Sequence, residues 1–258
     1  MELDRIAVAY SGGVDSTFLL SVAKEVLGRD RVLAVTASSD IHSKAEIRDA
    51  KKFTRMIGVR HLVFDPGSMK NRPFLANPPD RCYICKKSVF LAVRGLAAEN
   101  GMKSVTDGTN ADDASDYRPG RRALKELGII SPLAEAGLTK REIRSLSRKR
   151  GLPTWNRPAL ACLATRIPYG DRITAEALKR IDTAETALRA MGFIQVRVRD
   201  HRDLARIEIA PAEMKRVLKP GLFPEIVKRF KAAGYRTVTL DLEGYRTGSL
   251  NEALRNRP

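Results

Sequence analysis

The segment Ser11-Gly12-Gly13-Val14-Asp15-Ser16 follows a run of mostly apolar residues, Ile6 to Tyr10, and leads into an amphipathic run, Thr17 to Leu27. That order predicts a strand, a Gly-rich turn and a helix start, which aims backbone N–H groups and the positive end of a helix dipole at one point. Adjacent glycines let the backbone turn sharply and let a phosphate come close. Ser11 and Ser16 add hydroxyls, and Asp15 can hold a cation or fix the loop by accepting backbone N–H bonds. No lysine of the Walker type follows. A bare Gly-Gly pair could be only a tight turn, but an Asp and a second Ser at these spacings behind an N-terminal strand favour a bound nucleotide.

Strand and helix patterns alternate beyond this loop. Val32 to Thr36 reads as a strand, Lys44 to Ile57 as a helix, Val59 to Phe64 as a strand and Lys86 to Glu99 as a helix. Lys103 to Thr106 ends in a second polar turn, Asp107-Gly108-Thr109-Asn110. Such alternation predicts an α/β domain with a mostly parallel sheet and ligands at the carboxyl ends of its strands, where both Ser11 and Thr109 fall. Thr139 and Glu142 have the spacing of a capping box, and Gly151 with Pro153 closes that helix near Arg150.

After Pro168 the pattern changes. Ile173 to Met191 carries apolar residues at helical spacing, and Val196, Val198, Ile207 and Ile209 alternate with polar residues on two strands joined by a short loop. Two basic helices, Ala212 to Leu218 and Pro224 to Ala233, and a strand from Thr237 to Leu242 complete a small α+β domain. We therefore expect two domains, 1–168 and 169–258, with the boundary between about 165 and 172. If Val196 and Val198 face the core, Arg197 and Arg199 share the other face, joined there by Arg206 and Glu208. Neighbouring guanidinium groups would suit a phosphate monoester, although alternating charge on a solvated sheet edge gives the same pattern.

The 258 residues, 43% of them hydrophobic, suffice for a real core, and no apolar stretch is long enough to span a bilayer. The expected location is the cytoplasm, with no membrane partner. A formal net charge of +17 predicts attraction to polyanions, either nucleic acid or small phosphorylated ligands. Aromatics make up 6% of residues and do not interleave with the basic runs, which argues against a single-strand nucleic-acid platform. Of the three cysteines, Cys82 and Cys85 form a C-x-x-C pair and Cys162 stands alone. The pair suits a redox dithiol, half a zinc site or part of an iron–sulfur site, whereas Cys162 could be simply a small buried residue. His42, His61 and His201 lie in separate segments and offer no second ligand pair for zinc.

The SGGVDS loop resembles the pyrophosphate-binding loop of the PP-loop ATP pyrophosphatases, which cleave ATP between its α and β phosphates. Over nearly its whole length the chain is similar to the LarE sulfur transferases of nickel-pincer cofactor biosynthesis. The stretches that carry this are SGGVDSTFL, RCYICKKSVF, DGTNADDASDYRPG, SPLAEAGLTKREIR, PALACLATRIPYG, GFIQVRVRDH and DLEGYRTGSLN.

The resemblance implies that ATP adenylates a carboxylate of pyridinium-3,5-biscarboxylic acid mononucleotide and that sulfur then replaces the activated oxygen. It implies that Ser11, Gly12, Gly13, Asp15 and Ser16 hold the ATP pyrophosphate and Mg2+, with Gly108, Thr109 and Asn110 beside the nucleotide. Arg197 and Arg199, with Thr165 or Arg166, would bind the substrate phosphate, and Glu185 and Glu208 would make polar or metal contacts nearby. Single-cysteine members surrender the sulfur of their own cysteine, whereas three-cysteine members are thought to hold a [4Fe-4S] cluster that relays sulfide. The presence of Cys82 and Cys85 beside Cys162 favours the cluster, and hence a sulfide donor as partner; the family also implies a homo-oligomer. The competing readings are a tRNA thiolase of the same superfamily, sacrificial donation by Cys162, and a nucleotide-sensing or assembly protein without turnover.

Overall fold

The computed structural model describes residues 3–114, 120–158 and 161–246, so that residues 115–119, 159–160 and 247–251 of the stretches quoted above lie outside the described residues. The chain separates into two compact units, Met1–Ser68 with Asp80–Leu160, and Met69–Pro79 with Ala161–Pro258. The second unit thus recruits an upstream segment that linear reading groups with the first. Asn77 shows why: fully buried at φ +57°, it donates its side-chain amide to the carbonyls of Pro168 (2.7 Å) and Asp171 (2.8 Å).

The first unit is a four-stranded parallel sheet, β1 (Ile6–Ala9), β2 (Val32–Ala37), β3 (Arg60–Phe64) and β4 (Ser104–Thr106), in the order β3-β2-β1-β4. The helices Val14–Leu27, Lys44–Ile57 and Arg81–Glu99 make the crossovers. Ile6 and Val8 pack with Phe18, Leu19 and Leu20 on one face, while Ala7, Leu33 and Val35 pack with Phe90, Val93 and Ala97 on the other. Burial on both faces explains why the strands read as continuous apolar runs. Strand order reverses between β1 and β4, and in open α/β sheets the crevice beyond such a reversal receives the ligand. The Arg81–Glu99 helix begins five residues earlier than its apolar pattern indicates, which brings Cys82 and Cys85 into its first two turns.

The second unit packs helices Ala175–Ala190 and Leu222–Ala232 on a three-stranded sheet, β5 (Val196–His201), β6 (Leu204–Ile209) and β7 (Thr237–Leu240). β5 and β6 are antiparallel, and β6 and β7 parallel. Val196, Val198, Ile207 and Ile209 enter one core with Leu188, Phe193, Ile226 and Phe230, as their alternation predicts. The expected helix 212–218 is instead a tight turn, Pro211–Glu213, followed by one helical turn, Met214–Val217; a proline at its start favours the turn. No helix among the described residues is long and apolar enough to cross a membrane.

Candidate active site

At the switch point of the first unit, β1 runs through Tyr10 into the Ser11–Ser16 loop. Gly12 has φ +75°, and a Cβ there would stand 3.1 Å from that of Ala50, so glycine satisfies both the turn and the close packing on the neighbouring helix. The Val14–Leu27 helix starts at Gly13 with no side-chain cap, which leaves first-turn N–H groups open to an anion. The Ser11 and Ser16 hydroxyls lie 3.0 Å apart, and the Ser11 hydroxyl accepts the Gly13 N–H at 3.3 Å. These bonds tie the loop to itself across the turn.

The turn after β4 lies flush against this loop. A Cβ on Gly108 would come within 2.8 Å of the Ser16 nitrogen, so only glycine permits the approach. Asp107 is buried and accepts from the Thr109 hydroxyl at 2.5 Å and the Ser131 hydroxyl at 2.6 Å, which pins the turn. Asn110 donates its amide to Asp15 at 3.4 Å. Ser11, Gly12, Gly13, Asp15 and Ser16 are thus gathered with Gly108, Thr109 and Asn110, although 90 or more residues separate the two turns.

Lys140 completes this group, and nothing in the sequence pattern singles it out. It is the first residue of the Lys140–Lys149 helix, whose capping box is formed: Thr139 accepts the Glu142 N–H, and the Glu142 carboxylate accepts the Thr139 N–H. That cap fixes the helix start, and the Lys140 ammonium forms an ion pair with Asp15. Its backbone N–H donates to Asp112 at 2.8 Å, tying the helix to the β4 turn. The capping box was a usable signal for where Lys140 sits, but not for its partner.

In the second unit four of the expected site residues meet around one short turn, Leu163–Arg166, with Cys162 at its N-cap. The Cys162 carbonyl accepts from the Thr165 hydroxyl at 2.8 Å and from Arg166 at 3.3 Å, and the Thr165 carbonyl accepts from Arg199 at 2.7 Å. The arginine face of the sheet is not a solvated edge. Arg199 and Glu208 are both 1% exposed and pair in bidentate fashion at 2.8 and 3.0 Å. Arg166 meets Glu185 in the same way at 2.7 and 3.1 Å, also buried.

Glu185 and Glu208 are therefore counter-ions in this arrangement. Glu185 is shared by Arg166 and Arg189, and Glu208 by Arg199 and Arg206, the last of which also meets Asp241 at 3.6 Å. Burial opposes the charge on Glu185, but Arg166, Arg189 and the Val198 N–H outweigh it and hold its carboxyl below the ordinary value. Arg197 is the exception. It stands opposite Glu208 in the β5–β6 register, yet that carboxylate turns to Arg199 and Arg206, and among the described residues Arg197 has no carboxylate partner. Burial, reinforced by the nearby charges of Arg166 and Arg199, pulls its pKa down. A desolvated guanidinium in an electropositive setting is well suited to an anion.

The thiols divide between the units. Cys82 and Cys85, half-buried, are three residues apart at the start of the Arg81–Glu99 helix, a spacing that shares one face and benefits from the dipole. Cys162, also half-buried, belongs to the second unit. As a donor set for an iron–sulfur cluster, the pair fits by spacing and chemistry. Among the described residues, however, no group of three or more His, Cys, Asp or Glu side chains is gathered for a metal ion.

A family model described as NAD synthase matches residues 2–71, the segment that contains the loop. The chain is 46% identical to an uncharacterized protein of Synechocystis sp., over 98% of this chain and 94% of that protein. It is 38% identical to the pyridinium-3,5-bisthiocarboxylic acid mononucleotide synthase of Lactiplantibacillus plantarum, over 98% and 91% respectively. It is 32% identical to an uncharacterized protein of Methanocaldococcus jannaschii, over 94% and 91%.

Proposed function

Because this chain belongs to the LarE family of PP-loop ATP-dependent sulfur transferases, we propose that it converts pyridinium-3,5-biscarboxylic acid mononucleotide to a thiocarboxylate for a nickel-pincer cofactor. In the first step a substrate carboxylate attacks the α-phosphorus of ATP, and the bond to the bridging oxygen breaks to release pyrophosphate. In the second, a sulfur nucleophile attacks the acyl carbon and AMP departs with its oxygen. Adenylation is needed because a carboxylate is a poor electrophile and oxide a poor leaving group.

Ser11, Gly12, Gly13 and Ser16 hold the departing pyrophosphate with N–H and hydroxyl donors, and Gly108, Thr109 and Asn110 flank the nucleotide. Asp15 would hold Mg2+, which supplies positive charge to the phosphates, and Lys140, released from Asp15, adds its own. Arg197 binds the substrate phosphate directly; Arg199, Arg166 and Thr165 support it, with Glu185 and Glu208 keeping the two flanking guanidinium groups in place. What supports this reading most is the meeting of the two turns at the point where strand order reverses, with an uncapped helix N-terminus between them.

Cys82, Cys85 and Cys162 would ligate a [4Fe-4S] cluster, which when bound offers an open iron to a sulfide supplied by a donor partner. Assembly as a homo-oligomer belongs to the same proposal. A second reading, sacrificial donation from Cys162, is favoured by the placement of Cys162 on the turn that carries Thr165 and Arg166. One experiment separates the two. Protein purified without oxygen is turned over with ATP and the mononucleotide, and iron, sulfide and the mass of the Cys162 peptide are recorded. Iron and sulfide with an intact Cys162 support the cluster; dehydroalanine at Cys162 without iron overturns it. Sulfur entering tRNA, with none entering the mononucleotide, overturns the assignment itself.

A further inference from the structure

The stretch Asp241 to Tyr245, part of a motif that the proposed chemistry leaves without a task, continues along β6 directly after β7. The Asp241 N–H donates to the Ile207 carbonyl at 2.9 Å, and the Tyr245 N–H to the Ile209 carbonyl at 2.8 Å. Gly244 between them has φ +70°, and a Cβ there would stand 2.6 Å from the Ile209 carbonyl oxygen. A side chain at Gly244 would both strain the backbone and push the segment off β6, so glycine is what lets Tyr245 come down at this point.

Ile209 pairs with Val196 and Glu208 with Arg197, so a residue pinned to Ile209 arrives beside Arg197. The Arg197 guanidinium lies over the Tyr245 ring, 4.6 Å from its centroid. We propose that Tyr245 is a positioning residue for substrate binding: its ring face holds the Arg197 guanidinium in one orientation, with its N–H edge available to a phosphate. The proposal rests on the reading of Arg197 as the phosphate ligand given above.

An aromatic ring suits this task for a physical reason. A carboxylate partner would orient Arg197 equally well, but it would neutralise the charge and occupy the donors that a phosphate needs. A ring attracts the cation through its quadrupole while using none of its N–H groups. The neighbouring guanidinium groups illustrate the other solution, since Arg166 and Arg199 are oriented by carboxylates that take up their bidentate edges.

The test uses the full-length protein and two probes, pyridinium-3,5-biscarboxylic acid mononucleotide and its dephosphorylated nucleoside, with dissociation constants measured by calorimetry and KM and kcat by pyrophosphate release. Loss of the ring in Tyr245→Leu should raise Kd and KM for the mononucleotide about tenfold, the scale of a partly desolvated cation–π contact. Values for the nucleoside should be unchanged and kcat for the mononucleotide should stay within about twofold. Tyr245→Phe, which keeps the ring, should behave as the parent; Tyr245→Met replaces the leucine variant if that one does not fold. Equal weakening of both probes, or a Phe variant as poor as the Leu one, overturns the proposal. If Arg197→Ala loses the preference for phosphate while Tyr245→Leu keeps it, Tyr245 is not the positioning group although Arg197 remains the ligand. If the parent protein does not distinguish the probes, the reading of Arg197 fails first and this one with it.

Discussion

The two candidate sites are built to offer donors to an anion by opposite means. The loop of the first unit is built from backbone: glycines that admit close approach, an uncapped helix start, and hydroxyls that bond to one another. The arginine face of the second unit is built from buried side-chain charge, in which two bidentate pairs surround a guanidinium that has none. A backbone site is demanding in space and needs little electrostatic compensation, because amide dipoles carry no net charge. A site made of buried ions is demanding in pairing, since each desolvated charge must be answered. The two should therefore fail differently, the first through volume and the second through loss of a partner.

The largest expected effect tests the first half of that contrast. Gly108→Val would drive a side chain into the Ser16 backbone and open the contact between the two turns, and displacement on the scale of 1 Å can cost about 100-fold in rate. Pyrophosphate release with ATP and the mononucleotide should fall by that factor or more, while calorimetric binding of the mononucleotide stays near the parent value. Activity within tenfold of the parent would mean that the turns do not depend on their close fit.

Next in size is the cost of unpairing. Glu185→Gln leaves Arg166 buried against a neutral amide, and removing one partner of a buried pair typically costs about 3–5 kcal/mol. Urea denaturation should show a loss of that order, and the double change Arg166→Met with Glu185→Leu should restore most of it. Equal losses in the single and double variants would show that packing, rather than charge compensation, holds this face together.

The smallest effect separates the units by pH. Burial, with Lys51 nearby, lowers the pKa of His61 from 6.5 to about 4; its ring nitrogens lie 2.8 and 3.0 Å from the hydroxyls of Thr36 and Thr54. Between these values the unfolded chain binds a proton that the folded chain does not, so stability falls as pH drops from about 6.5 towards 4 and is unaffected by this group above that window. For Glu185 the lowered folded pKa means stability present above the ordinary carboxylate value and lost only as pH falls through the folded one, later in an acid titration. His61→Gln should therefore flatten the upper part of a plot of unfolding midpoint against pH. His42 and His201, both lowered by burial, leave a residual slope. An unchanged profile in the variant would remove His61 from the account.

Much of the fold was legible because its signals are local. Glycines at a turn, an apolar run in a doubly covered strand and the Thr139–Glu142 box each act within a few residues, and the structure reproduces them with small shifts of boundary. The site was legible in part. Residue types at strand ends indicated both turns, and strand alternation put Arg197, Arg199 and Glu208 on one face. Which arginine is paired was not readable, because cross-strand register sets Arg197 opposite Glu208 while side-chain reach gives that carboxylate to Arg199. Lys140 and Tyr245 were missed for the same reason: their partners Asp15 and Arg197 lie 125 and 48 positions away in the chain.

By itself the sequence determined the parallel sheet, the Gly-rich turn after its first strand and the change to a basic α+β region, since each follows from steric and hydrophobic patterns of short range. Only the tertiary structure decided that Gly108 must be glycine because Ser16 lies behind it, that Arg166 and Arg199 are each held by a buried carboxylate, and that Arg197 rests on a tyrosine. Those are contacts between distant segments, and their energies depend on burial and pairing that a linear pattern does not contain.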